Sequence, residues 1–257
     1  MGLLTILKKV KEEEREIRIL VLGLDNAGKT TIVRRLCDRP IDEIEPTLGF
    51  SIQTLDYDLA DRIDEDYGDE CECECDEGDE NRSNNNNNSD ENEDDGENKN
   101  DSNNDSNVSI DVDIDTVRDD GSNCYKLHLW DVGGQSTIRA YWRNYFEKTD
   151  GIVWVVDSGD RLRLDLVREE LAKVLLQERL AGASLLVLAN KTDLEGALPK
   201  EKIAEGLGLG RKKGRTAHEQ HARHWTIRES SAVTGEGLAG AMDWLVRDIT
   251  DRIYFAA

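Results

Sequence analysis

The octapeptide GLDNAGKT, residues 23–30, constrains this chain more than any other stretch. It fits G-x-x-x-x-G-K-[ST], it follows the apolar run IRILVLG (Ile17 to Gly23), and it opens a segment from Gly28 to Cys37 that reads as a helix. A buried strand that feeds a glycine-rich turn into a helix N-terminus makes a phosphate cradle. Gly23 and Gly28 let backbone N–H groups approach phosphate oxygens closely, and the helix adds the positive end of its dipole. Lys29 reaches the outer phosphates, and the Thr30 hydroxyl can ligate Mg²⁺. The phosphate-binding residues are therefore read as Gly23, Asp25, Asn26, Ala27, Gly28, Lys29, Thr30 and Thr31.

Downstream, short aliphatic runs alternate with amphipathic stretches, the pattern of βαβ units and an α/β fold with a mostly parallel sheet. GIVWVV (Gly151 to Val156) and SLLVLAN (Ser184 to Asn190) are too continuously apolar for half-exposed strands and suit central parallel ones. A helix over about Leu164 to Glu178 joins them. HWTIRE (His224 to Glu229) is a further strand, and a closing helix from about Gly237 to Arg252 carries Leu238, Met242, Leu245 and Ile249 on one face. One pair breaks the alternation. FSIQTLDYD (Phe50 to Asp58) and CYKLHLWD (Cys124 to Asp131) have period two and no helix between them, so they read as an antiparallel hairpin with its turn replaced by an insert.

Composition matters at that insert. The formal charge of the 257-residue chain is −22, yet Asp61 to Ser122 alone holds 25 acidic and four basic residues, a net of −21. The rest is nearly neutral and about 44% apolar, the composition of one domain with a sizeable core. With NNNNN at Asn84 to Asn88 and almost no aromatics, the insert cannot bury enough area to offset its chain entropy and is expected to be disordered. A hairpin tolerates it because closure cost grows only logarithmically: lengthening a short turn to ~60 residues costs roughly 2–3 kcal/mol. Such acidity argues against a nucleic-acid partner. No apolar run approaches a membrane span, and MGLLTILKKV lacks the h-region of a secretory signal. Cys37 and Cys124 fall in elements expected to be buried. Cys71, Cys73 and Cys75 alternate with glutamate and make a poor disulfide framework, so a reducing compartment fits best. Neither CECEC nor HEQHARH (His218, His221, His224) has the paired spacing of a structural zinc site, and both read as solvated connections.

A phosphate cradle does not name the base. NKTD, directly after SLLVLA, does: the Asp193 carboxylate offers two acceptors to the N1–H and 2-amino group of guanine, which adenine lacks. Asn190 and Lys191 belong to the same loop. SSAVTG (Ser230 to Gly235), with Ser231 and Ala232, can supply a backbone N–H to the guanine O6. WDVGGQ (Trp130 to Gln135) places Asp131 for the second shell of Mg²⁺, the Gly134 N–H for a γ-phosphate, and Gln135 to orient water, while PTLGF provides Thr47 as a second Mg²⁺ ligand. Taken alone, Asp131 can equally cap a turn and PTLG can be a rigid loop.

In this order GLDNAGKTT, PTLGF, WDVGGQ, YWRNYF, NKTD and SAVTG resemble the ADP-ribosylation-factor branch of the small GTPases over essentially everything outside Asp61 to Ser122. MGLLTILKK, RNYFEKTDG and ERLAGA are most similar to the second Arf-like subtype, with the third as near neighbour. The resemblance implies the small G protein form of the P-loop NTPase fold, a six-stranded, mostly parallel sheet with one antiparallel edge hairpin and helices on both faces. It implies an amphipathic helix over residues 1–16 and a GTPase domain over 17–257, interrupted at 61–122. It also implies a GTP/GDP switch using Mg²⁺, with switch loops at Arg39 to Gly49 and Val132 to Phe146 and with Gln135 as the catalytic residue. Phe50, Trp130 and Tyr145 match the aromatic trio on which family effectors dock. Slow intrinsic turnover follows, since nothing marks an arginine finger in cis. The implied partners are an activating protein, an exchange factor, tubulin-folding cofactor D and carriers of prenylated or myristoylated cargo, in the cytoplasm and at microtubules, as a monomer or hetero-complex. Gly2 is in place, but Ile6 stands where myristoylation requires Ser or Thr, so membrane contact is expected to be weak or none. A non-hydrolysing GTP-bound scaffold and a membrane-trafficking switch with an acylated Gly2 stand as alternatives.

Overall fold

The computed structural model describes residues 15–59, 124–209 and 223–254. Its strands are β1 (Glu16–Leu22), β2 (Phe50–Asp58), β3 (Cys124–Val132), β4 (Gly151–Asp157), β5 (Ser184–Asn190) and β6 (Trp225–Ser230). The helices are α1 (Lys29–Leu36), the single turn α2 (Ser136–Arg139), α3 (Leu164–Leu175), α4 (Lys200–Leu207) and α5 (Leu238–Tyr254). One six-stranded sheet results, in the order β2-β3-β1-β4-β5-β6, with every pair parallel except β2 with β3.

Strand alternation divides the apolar residues between two cores. Ile17, Ile19 and Val21 of β1, Val153 and Val155 of β4, and Leu186 and Leu188 of β5 point to one face, where Ile32 and Val33 of α1 and Leu238, Met242, Leu245 and Ile249 of α5 cover them. Leu20, Leu22, Ile152, Trp154, Leu185 and Val187 point to the other, beneath Val167, Leu171 and Val174 of α3 and Ile203 and Leu207 of α4. Burial on both faces is why these strands lack a polar alternation. The spacing of 3 and 4 along α5 is the corresponding helical signature, and its four expected face residues are all at most 2% exposed.

The hairpin expected on either side of the acidic segment is present. Phe50 pairs with Val132 and Asp58 with Cys124 without a register break, so the intervening chain leaves and re-enters on one cross-strand pair. The helix assigned to 1–16, the disorder assigned to 61–122, and His218 and His221 lie outside the described residues, but Glu16 belongs to β1. Two expectations need correction. Cys37 and Cys124 are half-buried free thiols rather than core residues. The helix expected to reach Glu178 stops at Leu175, because a 3-10 turn at Glu178–Leu180 brings Leu180 fully into the core before β5.

The far end of the hairpin is anchored to α5: the Tyr57 hydroxyl donates to Asp243 Oδ1 at 2.7 Å. Tyr57→Phe is expected to cost about 1 kcal/mol, the usual worth of such a partly exposed hydrogen bond. Urea unfolding of the GDP-loaded protein measures it, and an unchanged midpoint would count against the anchor.

Candidate functional site

β1 lies where the chain order reverses, its successors β3 and β4 flanking it, and ligands in open α/β sheets bind at the carboxyl end of such a strand. The loop from Gly23 to Gly28 leaves β1 at that point and enters α1. Asn26 (φ 63°) and Gly28 (φ 94°) adopt left-handed conformations, which turn successive backbone N–H groups into a common concavity. Lys29 is only 6% exposed. Its ammonium folds back over the loop and donates to the carbonyls of Gly23 at 3.0 Å and Leu24 at 2.7 Å. Burial pulls its pKa down to about 8, against the opposing charges of Asp131 and Asp25.

A 310 Å³ cavity joins this loop to the two other predicted phosphate-reading segments: Asp25, Asn26, Lys29, Thr30 and Thr31 line one side, Thr47, Gly134 and Gln135 the other. Within it the Thr30 hydroxyl donates to Asp131 Oδ2 at 2.7 Å and stands 2.8 Å from the Thr47 hydroxyl, which is 3.3 Å from the same carboxylate oxygen. Asp131 is fully buried. Burial raises its pKa, opposed by the Thr30 hydrogen bond, the Lys29 charge and the Thr47 hydrogen bond. Its other oxygen, Oδ1, has no hydrogen-bond partner among the described residues. These features fit Mg²⁺. Octahedral ligands at 2.0–2.1 Å put neighbouring oxygens about 2.9 Å apart, close to the observed threonine separation, and a cation compensates a buried carboxylate.

The residues predicted to read the base come from the ends of β5 and β6. Buried Asn190 ties three loops together: its Nδ2 donates to Ala27 O at 2.8 Å and its Oδ1 accepts from the Ala232 N–H at 3.0 Å. The Ala232 N–H expected at a guanine O6 is thus engaged by Asn190 here. Gly28 has a second reason to be glycine besides its φ, since a Cβ there would stand 2.4 Å from Asn190 Nδ2. Ser231 Oγ donates to Asp193 Oδ1 at 2.6 Å, which orients that carboxylate, and Lys191 (φ 69°) pairs with Asp157 at 2.7 Å.

Away from the cavity, Phe50, Trp130 and Tyr145 form one aromatic cluster. Phe50 stacks on Trp130 with centroids 5.8 Å apart, and Tyr145 lies 5.0 Å from Phe50 and 6.1 Å from Trp130. Phe50 is 48% exposed, and Ile52 beside it 43%. Phe50 is thus the exposed member, while Trp130 and Tyr145 are half-buried and rest against the second core.

Three arginines escaped the sequence reading. Arg18 places its guanidinium 3.9 Å over the Trp130 ring and donates to the Tyr145 carbonyl, so it supports the aromatic cluster from β1. Arg139 and Arg163 both reach Asp25 in the phosphate loop, at 3.4 and 3.1 Å. Arg139 had a readable signal, lying one helical turn after Gln135; Arg18 and Arg163 had none, their contacts being set by strand order. His224, read as part of a solvated connection, is instead half-buried, with its Nδ1 2.9 Å from Asp248 Oδ1.

The sequence profile of the ADP-ribosylation factor family matches residues 3–62 and 99–249. The chain is 43% identical to ADP-ribosylation factor-like protein 2 of Drosophila melanogaster, over 99% of its own length and 98% of the relative's. It is 41% identical to the Arabidopsis thaliana protein of that name and 39% to the Dictyostelium discoideum one, with the same coverage. Among solved structures, it is similar to the Arl6 small GTPase of Trypanosoma brucei with bound nucleotide analogue GppNp: TM-score 0.57 and 21% identity, over 91% of this chain and 98% of that one.

Proposed function

From the premise that the chain belongs to the ADP-ribosylation factor family of small GTPases, GTP-binding hydrolases, we propose how its residues run the switch and where its output goes. Backbone N–H groups between Asp25 and Thr31, together with Lys29, hold the phosphates. Asp193, oriented by Ser231, selects guanine, with Asn190 and Lys191 shaping the pocket and Ala232 closing it. Thr30 and Thr47 would hold Mg²⁺, with Asp131 beside them, and the ion would supply positive charge against the phosphates there. Gln135 orients the attacking water, and Gly134 senses the γ-phosphate. The observation that carries this reading is the meeting of Thr30, Thr47 and Asp131 within 3.3 Å in the cavity that Gly134 and Gln135 also line. One terminal phosphate can thereby order two separate loops.

The output is docking of proteins on the Phe50–Trp130–Tyr145 surface. The relatives' shared subtype supports a role in tubulin folding, with tubulin-folding cofactor D and carriers of lipidated cargo as partners and the cytoplasm as the place. An activating protein supplies the positive charge that speeds hydrolysis, and an exchange factor resets the switch. Pulldowns with the full chain, GDP-loaded or as GTP-loaded Gln135→Leu, test this. Gln135→Leu is expected to hydrolyse GTP about 10²-fold more slowly than the native chain, and a tubulin cofactor or lipid-cargo carrier is expected to bind in a nucleotide-dependent way. Recovery of only vesicle-coat or tether proteins would overturn the tubulin role.

A further inference from the structure

Gln135 follows two glycines and precedes the single turn of α2, a setting with little intrinsic rigidity. One residue holds it from both sides. The Arg139 backbone N–H donates to the Gln135 carbonyl at 3.1 Å, and the Arg139 side chain, through Nε, donates to the Gly134 carbonyl at 2.8 Å. Those carbonyls belong to the peptides on either side of the Gln135 α-carbon; any residue at 139 makes the backbone bond, whereas the hold on the Gly134–Gln135 peptide belongs to the arginine side chain. The guanidinium is itself fixed. Nη2 lies 3.4 Å from Asp25 Oδ1, Nη1 lies 3.8 Å from Glu170, and the side chain is only 12% exposed. Asp25 is held in turn by Arg163, whose Nη1 reaches its Oδ2 at 3.1 Å and whose Nη2 donates to its carbonyl at 3.3 Å. A phosphate-loop carboxylate, itself held by Arg163, thus pairs with an arginine whose side chain holds the peptide before Gln135 on a different, glycine-containing loop.

We propose that Arg139 is a positioning residue for GTP hydrolysis: docked on Asp25, it fixes the Gly134–Gln135 peptide and thereby aims the Gln135 amide at the attacking water. The inference rests on the reading of Gln135 as the water-orienting residue. Arg139 does not line the cavity, whereas Gln135 does, so the effect of Arg139 on hydrolysis passes through the Gly134–Gln135 peptide. Misplacing a catalytic group by about 1 Å costs up to about 10²-fold in rate, and the Nε hydrogen bond to the Gly134 carbonyl, the one that Arg139→Ala removes, controls displacements of that size.

The test is single-turnover γ-phosphate release from the full-length protein, with GDP release followed in parallel, for Arg139→Ala, Arg139→Lys, Gln135→Leu and the Arg139→Ala/Gln135→Leu double variant. Arg139→Ala is expected to hydrolyse about tenfold more slowly, with GDP release unchanged within about twofold. Arg139→Lys, which lacks the forked donors, is expected to recover little of the loss. In the double variant, loss of Arg139 should add nothing to loss of Gln135, because groups that act as one unit are not additive. Native-rate hydrolysis by Arg139→Ala while Gln135→Leu is slow would overturn the proposal and leave the Gln135 reading intact. Additive losses, or GDP release accelerated in step with the hydrolysis defect, would also overturn it, by marking Arg139 as a general structural support. Native-rate hydrolysis by Gln135→Leu would instead defeat the underlying reading, whatever Arg139→Ala does.

Discussion

Asp193→Asn is expected to weaken GTP binding about 10²- to 10⁴-fold and to give the protein a measurable affinity for XTP. The carboxylate can accept from both the N1–H and the 2-amino group of guanine. An asparagine keeps one acceptor and turns an N–H₂ donor towards the 2-amino group, so one charge-assisted hydrogen bond, worth about 1.5–3 kcal/mol, gives way to a donor–donor clash and the other is reduced to a neutral one. Xanthine carries a carbonyl at that position and restores the complement. Ser231 Oγ, which donates to Asp193 Oδ1 at 2.6 Å, can donate equally to an amide oxygen, so the loop geometry should survive the change. Titration of the nucleotide-free protein with GTP, XTP and ATP reads the switch directly. Unaltered GTP affinity would show that Asp193 does not meet the base.

Gly134→Ala should separate the two nucleotide states. In the present arrangement an added Cβ would stand 2.4 Å from the Gly23 carbonyl oxygen, 2.4 Å from the Leu24 carbonyl carbon and 2.5 Å from the Asp25 nitrogen. All three are backbone atoms of the phosphate loop and have nowhere to go, so the Gly134 segment must retreat. Overpacking of this kind costs about 1–3 kcal/mol, and only the arrangement in which Gly134 approaches the loop incurs it. The preference for GTP over GDP is therefore expected to fall by about 10²-fold, with GDP affinity and the unfolding midpoint of the GDP form unchanged. Dissociation rates of the two nucleotides from native and variant protein measure the ratio. Equal losses for GTP and GDP would mean that the close approach is not specific to the triphosphate state.

The same residues show how much the chain discloses unaided. The strand–loop–helix turn at Gly23–Thr30 was legible because everything it needs is contiguous: an apolar strand followed directly by glycines, a lysine and a hydroxyl within eight residues. The hairpin was legible across the acidic segment because Phe50–Asp58 and Cys124–Val132 each carry their own period of two, and pairing by alternating faces does not depend on what joins the strands. The end of α3 was misjudged for the opposite reason. Helical periodicity ran on towards Glu178, but the burial of Leu180 outweighed it.

Local spacing thus determined which peptide segments turn, extend or coil and what chemistry each can offer, since backbone preference and side-chain acidity are properties of near neighbours. The sheet order decided which of those offers meet. With β1 seated between β3 and β4, Thr30 comes against Asp131 across 101 residues, Arg139 against Asp25 across 114, and Arg163 against Asp25 across 138. Hydrogen bonds and charge pairs act over a few ångströms, so their membership depends on folded proximity, which no one-dimensional pattern around Asp25 or Gln135 records.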